Sequence, residues 1–144
     1  MHKLPVNFQL FSTDYTVPLA FTLYHNEQVV YSCKHVLEPT DISVVLNHGD
    51  EDQTLTWEMS GKLPEHTQLS DNGIILNDAA LITNNFRLDN FELNDKLNKH
   101  CIYYHNHNGT TEITSNTYDN YMGCNGSVVF KFSSPAYVWI LKNW

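Results

Sequence analysis

Basic residues are scarce in this sequence of 144 amino acids. Lysine and arginine together number 8, whereas aspartate and glutamate number 16, which gives a formal net charge of -8 at pH 7. A protein that binds the phosphate backbone of nucleic acids needs a basic surface that displaces counterions. We therefore expect no nucleic-acid partner.

Cysteines and long apolar runs are also in short supply. Cys33, Cys101 and Cys124 make an odd number and contain no CxxC spacing, so we expect reduced thiols rather than a disulfide framework or a zinc ribbon. No run approaches about 18 apolar residues, and the first residues lack the apolar core and cleavage site of a signal peptide. The sequence thus predicts a protein made in the cytoplasm, without a signal peptide or a membrane span.

Recognisable catalytic motifs are missing as well. The sequence contains no GxSxG, P-loop or GxGxxG pattern, and every aspartate and glutamate lies in or beside a turn where solvation explains it. Cys101 precedes His105, but no orienting acid or oxyanion donor is indicated beside them. We therefore expect a protein that is not an enzyme.

Short stretches of alternating apolar and polar residues are what the sequence has in abundance. They cover residues 4–10, 17–24, 29–33, 42–46, 55–59, 74–76, 80–88, 91–93 and 127–132. Turn signals separate them, and a hydrophobic fraction of 42% is sufficient for a core. This pattern predicts one all-β domain over residues 1–144, an antiparallel β-sandwich or jelly roll.

Several connections can be predicted in more detail. Residues 25–27 and 89–90 are predicted hairpin turns, and residues 47–52 are predicted to join their flanking strands as a further hairpin. Residues 94–99 are predicted to form a short helical turn. The tail at 135–144 is apolar on both parities, which predicts a central strand covered on both sides, with a short buried helix as the alternative.

The segment from His100 to Phe132 is the predicted recognition region. Apolar runs at 101–104 and 127–132 predict two strands, and the polar residues between them predict one long loop. Loops on a rigid scaffold are where binding residues concentrate.

Aromatic, histidine and asparagine side chains in this loop and at the end of the chain are candidate binding residues: Tyr118, Tyr121, His105, His107, Asn108 and Trp144. Exposed aromatic rings stack on the apolar faces of sugars, while Asn and His side chains bind the hydroxyls. Tyr and Trp also anchor protein interfaces, and a neighbouring subunit would cover a terminal Trp. Core packing is the competing explanation, and we assign Trp57 and Trp139 to the core because they fall on patterned strands.

Two patterns raise the question of a bound metal. The pair His105 and His107, if it lies on a strand, places both imidazoles on one face about 7 Å apart, and Asp119 or His100 is the nearest candidate for a third ligand. The acidic turn at residues 50–52 offers oxygens for calcium but too few ligands for a site. Solvated histidines and a solvated turn are therefore favoured, and we expect no metal and no cofactor.

Several segments in the last two-thirds of the chain carry a resemblance to known sequences. They are residues 65–69 (EHTQL), 88–91 (LDNF), 104–109 (YHNHNG), 121–126 (YMGCNG) and 130–135 (FKFSSP), followed by Trp139. This pattern resembles that of small uncharacterised proteins of contractile-tailed phages that infect marine cyanobacteria. The resemblance implies a virion-associated, phage-encoded protein with a sandwich like that of carbohydrate modules. Its motifs are turns and core positions, so it assigns no functional residue.

Three hypotheses about function follow. The first is a non-enzymatic virion protein, a capsid decoration or tail protein that binds a larger capsid or tail protein or copies of itself. The second is a glycan-binding module that uses the loop aromatics, histidines and Asn108, with or without calcium. The third is a metal-dependent enzyme built on His105 and His107.

Overall fold

The computed structural model describes residues 2–49 and 51–143, which form a β-sandwich with two short helices. In chain order the strands are β1 (His2–Ser12), β2 (Ala20–His25), β3 (Gln28–Cys33), β4 (Thr40–His48), β5 (Asp52–Ser60), β6 (Thr67–Leu69), β7 (Ile75–Asp78), β8 (Leu81–Leu88), β9 (Phe91–Glu92), β10 (Cys101–His105), β11 (Thr114–Thr117), β12 (Tyr121–Met122) and β13 (Gly126–Ser133). The other elements are a 3-10 turn (Pro64–His66), α1 (Asn94–Leu97) and α2 (Ala136–Asn143).

Two sheets make up the sandwich. The five-stranded sheet has the order β12-β8-β1-β4, with β9 paired to β8, and the six-stranded sheet has the order β11-β10-β13-β5-β2-β3. β6 and β7 form a separate two-stranded ribbon. All pairings among the described strands are antiparallel. The predicted all-β antiparallel sandwich is therefore confirmed.

The inward side chains of both sheets meet in a hydrophobic core around Trp57. This indole is fully buried, and its centroid lies 5.5 Å from the Phe86 ring and 5.7 Å from the Tyr118 ring. Truncating a buried aromatic side chain of this kind costs about 3–5 kcal/mol. The cluster thus holds the six-stranded sheet, through β5, against the five-stranded sheet, through β8.

The segment between β10 and β13 links the two sheets. β10 and β13 pair directly, from Cys101 opposite Phe130 to His105 opposite Gly126, as predicted for the strands that frame the long loop. Within that loop, β11 pairs with β10 in the six-stranded sheet, whereas β12 pairs with β8 in the five-stranded sheet. The predicted loop is therefore partly strand, and it ties one sheet to the other.

The predicted turns are right at two places and wrong at one. β2 and β3 are joined through Asn26 and Glu27, with φ of 47° and 71°, and β8 and β9 are joined through a turn in which Asp89 has φ of 58°. Residues 47–52 do not form the predicted hairpin, because β4 pairs with β1 whereas β5 pairs with β2 and β13. The alternation of apolar and polar residues shows that a segment is a strand but does not show which strand it pairs with. In the sequence, a connection between two sheets therefore has the same pattern as a hairpin.

The C-terminal tail is helical, so the predicted central strand is wrong and the alternative of a short helix is right. α2 buries Ala136 and Ile140, which lie four residues apart, and Trp139 packs its ring 5.5 Å from that of Phe130. Residues at these spacings share one face of a helix. The predicted helical turn at 94–99 is present as α1. Neither helix of the described chain is long and apolar enough to cross a membrane.

A β-bulge in β8 reshapes the five-stranded sheet. Between the pairs Asn7–Arg87 and Gln9–Asn84, one residue of β1 faces two of β8. Asn85 lies in this bulge with φ of 52°, and both Asn84 and Asn85 are exposed. The bulge allows apolar residues of β8 to face the core on both sides of it, although the strict alternation is interrupted.

Substitutions at Asn85 test the cost of this backbone conformation. We expect Asn85→Val to lower the free energy of unfolding by about 1–2 kcal/mol more than Asn85→Gly, because a branched residue resists the left-handed region. Both variants lose the hydrogen bond from Asn85 Nδ2 to Gln9 Oε1 (2.6 Å), so the difference isolates the backbone. Urea denaturation measures it, and equal stabilities would contradict the expectation.

Candidate functional site

A candidate binding surface lies on the outer face of the six-stranded sheet. Alternation along β2 buries Phe21 and Leu23 and turns Tyr24 outward, half-buried. In β5 the same alternation turns Thr54 and Thr56 outward. The face is therefore built by strands whose opposite sides are fixed in the core.

The register of the sheet brings outward side chains into a row across four strands. Ile102 lies opposite Val129, Val129 opposite Thr56, and Thr56 opposite Tyr24. Side chains directly opposite on neighbouring strands are about 4.5–5.5 Å apart at Cβ. The row thus forms a mostly apolar band that has Tyr24 near one end and the 44% exposed Ile102 at the other.

A groove of about 780 Å³ opens beside this row. We call it the Tyr24 groove, and its lining residues are Tyr24, Asn26, Glu27, Thr54, Thr56, Val129 and Lys131. No hydrogen bond or ion pair from the described residues reaches the Tyr24 hydroxyl, the Glu27 carboxylate or the Lys131 ammonium group. The groove therefore combines one aromatic ring with donors and acceptors that have no partner within the described chain.

A buried polar network holds one wall of the groove in place. The Asn26 amide donates to Gln53 Oε1 (2.8 Å), and its carbonyl oxygen accepts a hydrogen bond from the Thr54 N–H (2.9 Å). Gln53 is fully buried, and its Oε1 also lies 2.7 Å from His25 Nε2, which must carry the proton because an amide oxygen only accepts. These contacts fix the β2–β3 turn, so Glu27 is presented from a rigid position.

The predicted histidine pair is together but not in the predicted geometry. His105 ends β10, whereas His107 lies beyond the strand with φ of 52°, so the two do not share one strand face. Their ring centroids are 4.6 Å apart. The His107 N–H donates to His105 Nδ1 (3.1 Å), and His107 Nδ1 lies 3.0 Å from Thr111 Oγ1. These contacts occupy ring nitrogens that a metal would need.

The described residues contain no group of three or more His, Cys, Asp or Glu side chains placed to hold a metal ion. At the acidic turn considered for calcium, Asp50 lies outside the described residues. Asp52 Oδ1 accepts a hydrogen bond from the Ser133 hydroxyl (3.2 Å). The expectation that this turn is solvated and holds no calcium stays a prediction.

Tyr118 is a core residue, which corrects its assignment as a surface aromatic. It is fully buried, packs edge-on against Trp57, and shares a hydrogen bond between its hydroxyl and that of Thr83. Burial raises the pKa of its hydroxyl. The reason is topological: residues 118–120 pass from β11 in one sheet to β12 in the other, and Tyr118 enters the space between them.

The other candidates from the long loop are dispersed. Tyr121 is 38% exposed but lies on β12, in the five-stranded sheet, where its hydroxyl is 3.5 Å from Asp78 Oδ2. Asn108 has its side-chain oxygen engaged by the Asn125 N–H (2.8 Å). Trp144 lies outside the described residues. The predicted candidates therefore do not form one surface together.

Sequence reasoning missed the Tyr24 groove, although a signal was present. The alternation of β2 placed Tyr24 on the same parity as Thr22, opposite to the buried Phe21 and Leu23. One exposed aromatic residue on a strand is ordinary, but together with other outward apolar residues of neighbouring strands it can form a patch that marks a binding face. The binding residues were predicted in the long loop instead, because that loop holds more polar and aromatic residues.

The environment of His105 gives a prediction about pH. Partial burial lowers the pKa of the His105 imidazole, and the neighbouring His107 lowers it further. The unfolded chain therefore binds more protons near the ordinary histidine pKa of about 6.5, and stability falls as the pH falls. We expect wild type to lose more stability than His105→Asn between about pH 7.5 and about pH 5.5. Urea denaturation at both pH values measures this, and parallel losses would contradict it.

Comparisons with known proteins place the fold near a carbohydrate-binding module. A solved structure described as vCBM60 in complex with galactobiose is similar to this chain with a TM-score of 0.50 and 8% sequence identity. The similarity covers 88% of this chain and 96% of that one. No protein-family model and no curated protein sequence matches. At this identity the similarity concerns the β-sandwich fold.

Proposed function

We propose that this chain is a non-catalytic glycan-binding module that uses the Tyr24 groove. The observation that carries the proposal is a half-buried tyrosine ring in an open groove whose charged side chains, Glu27 and Lys131, have no partner among the described residues. This is a surface that water solvates incompletely, because the ring and Val129 expose apolar area between polar groups.

The chemistry of the groove suits the two kinds of surface on a sugar. The C–H face of a pyranose is apolar and can cover the Tyr24 ring. Sugar hydroxyls both donate and accept, so they can donate to the Glu27 carboxylate and accept from the Lys131 ammonium group or the threonine hydroxyls. The net charge of -8 repels acidic polymers. The proposed ligand is therefore a neutral oligosaccharide.

The outer face also suggests how the ligand would lie. The band from Tyr24 through Val129 continues to Ile102, and Tyr104, two residues further along β10, is 38% exposed. An oligosaccharide that crosses the strands would cover more of this band than a disaccharide. Affinity is thus expected to rise with the length of the oligosaccharide.

The fold similarity supports the proposal. The similar structure is described as a complex with galactobiose, so a sandwich of this kind is compatible with binding a neutral disaccharide. Galactobiose is accordingly the first sugar to test.

A printed glycan array followed by calorimetric titration tests the proposal. We expect binding to a neutral oligosaccharide, and tighter binding of tetrasaccharides than of disaccharides. Absence of binding to every neutral glycan would overturn the proposal. A repeat in EDTA tests the calcium-assisted form, which predicts loss of binding when calcium is removed.

The virion-associated role implied by the resemblance stays a prediction. It predicts that mass spectrometry of purified particles detects the chain together with a larger capsid or tail protein. Glycan binding is compatible with that role, because a particle surface meets host polysaccharide. Absence of the chain from intact particles would contradict it.

A further inference from the structure

A second groove, of about 490 Å³, lies on the outer face of the five-stranded sheet. We call it the Arg87 groove, and its polar lining includes Asn7, Gln9, Asp41, Ser43, Arg87 and Glu92. The two sheets pack through their inner faces, so this groove points away from the Tyr24 groove. None of its residues belongs to the predicted recognition loop.

The register places these side chains in a regular array. Ser43 lies opposite Asn7, Asn7 opposite Arg87, and Arg87 opposite Glu92. This row crosses four strands at the strand spacing of about 4.8 Å. Hydroxyl, amide, guanidinium and carboxylate groups therefore follow one another across the sheet.

The bulge in β8 lies directly beside the Asn7–Arg87 pair of this array. Asn85 has a left-handed backbone and sends its amide to the outer face, where it donates to Gln9 Oε1 (2.6 Å). Asparagine adopts this left-handed region more readily than most residues, and a bulge re-aims the side chains beside it. The hydrogen bond to Asn85 also fixes the orientation of Gln9.

The charged members of the groove lack partners. No hydrogen bond or ion pair within the described chain reaches the side chains of Asp41, Arg87 or Glu92. Arg87 is also the only arginine in the sequence. A guanidinium group offers five donors in one plane, and the two carboxylates offer acceptors beside it. The groove thus presents donors and acceptors in comparable number and has little net charge.

We propose that the Arg87 groove is a second binding site, for a neutral polyhydroxylated ligand such as an oligosaccharide segment. Each hydroxyl of such a ligand can accept from Arg87 or an amide and donate to Asp41 or Glu92. The side chains that line this groove include no exposed aromatic ring, so hydrogen bonds rather than stacking hold the ligand. An acidic ligand would meet both carboxylates, and a purely cationic one would meet Arg87. The site is independent of the Tyr24 groove and extends the proposed function to the opposite face.

The single arginine provides a direct test by NMR. In ¹⁵N-labelled protein the arginine Nε–H signal arises from Arg87 alone, so it reports this groove without assignment of other residues. The labelled full chain is titrated with galactobiose, cellobiose, maltose and, separately, digalacturonic acid. We expect a neutral sugar to shift the Arg87 signal, and the shift to persist in the Tyr24→Ala variant.

An exposed aspartate in the groove provides a matched pair of variants. Asp41→Ala removes one charged acceptor and is expected to raise the dissociation constant read from the Arg87 signal about tenfold. Asp71→Ala, at an exposed turn in the ribbon, is expected to leave it unchanged. Both positions are exposed, so neither variant should alter folding.

Each outcome of the titration decides the proposal. No shift with any neutral sugar, or a shift that disappears in Tyr24→Ala, overturns the second site. A larger effect of digalacturonic acid than of neutral sugars overturns the ligand class. Shifts of the backbone amide signals around Tyr24 test the proposed function separately. The titration can therefore contradict one site and support the other.

Discussion

Replacing Tyr24 with alanine is expected to weaken binding of the tightest neutral oligosaccharide about 30-fold, which corresponds to about 2 kcal/mol. The ring is half-buried and has the groove on its open side, so its removal deletes the apolar platform and leaves neighbouring hydroxyls without a positioned ligand. Calorimetric titration of both proteins measures the change. Stability should be little affected, because the core-facing side chains of β2 are untouched.

Two further tyrosine variants make this result specific. Tyr137→Ala removes a 51% exposed tyrosine on α2 and is expected to leave affinity unchanged. Tyr24→Phe keeps the ring and removes the hydroxyl, so it is expected to cost less than Tyr24→Ala if stacking dominates. Equal affinity of wild type and Tyr24→Ala would contradict the assignment of the groove.

Replacing Lys62 with alanine is expected to lower the free energy of unfolding by about 3 kcal/mol. The Lys62 ammonium group pairs with Asp78 and donates to the carbonyl oxygen of Gly123 (2.6 Å). Its side chain is 2% exposed, whereas that of Asp78 is 22% exposed. Breaking a buried pair costs about 3–5 kcal/mol, and the partial exposure of Asp78 favours the lower value because water solvates the remaining carboxylate.

The contacts of Lys62 with separate segments of the chain explain the large expected loss of stability. Lys62 follows β5, Asp78 ends β7, and Gly123 precedes β13, so the contact joins three segments that are distant in sequence. Asp78 Oδ1 also accepts from the Thr67 hydroxyl (2.7 Å), which anchors the β6–β7 ribbon. An isolated two-stranded ribbon is only marginally stable, so the ribbon depends on this anchor.

Urea denaturation of Lys62→Ala measures the loss, with Lys142→Ala as the matched control. Lys142 is exposed at the end of α2, and its removal should change stability by less than about 0.5 kcal/mol. A loss below about 1 kcal/mol in Lys62→Ala would mean that water replaces the ion pair without penalty. Protease cleavage within residues 67–78 should also become faster in Lys62→Ala alone.

Much of the sandwich could be predicted because alternation is a local property. The inward parity of Leu55, Trp57 and Met59 in β5 is the same in the sequence and in the structure. Pairing is not local, and the connection at 47–52 was therefore assigned to a hairpin instead of a crossing between sheets. The prediction for the tail was wrong for a different reason. Its apolar residues fit both a strand that is covered on both faces and a helix that packs one face against the core.

The candidate site was harder to predict because exposure depends on partners. Tyr118 looks like a loop aromatic in the sequence, yet the crossing between sheets buries it. Tyr24 looks like a strand residue, yet its direct neighbour on β5 is the short Thr56, and a groove opens beside the ring. Neither fact follows from spacing along the chain.

Because β13 pairs with both β5 and β10, the fold should tolerate a break in the polypeptide chain before β11. A cut in the exposed turn at residues 109–113 would divide the chain into a fragment that ends after β10 and one that carries β11 to α2. Every strand of the second fragment pairs with a strand of the first. The two fragments would stay associated, and pieces expressed separately would reconstitute the sandwich by complementation.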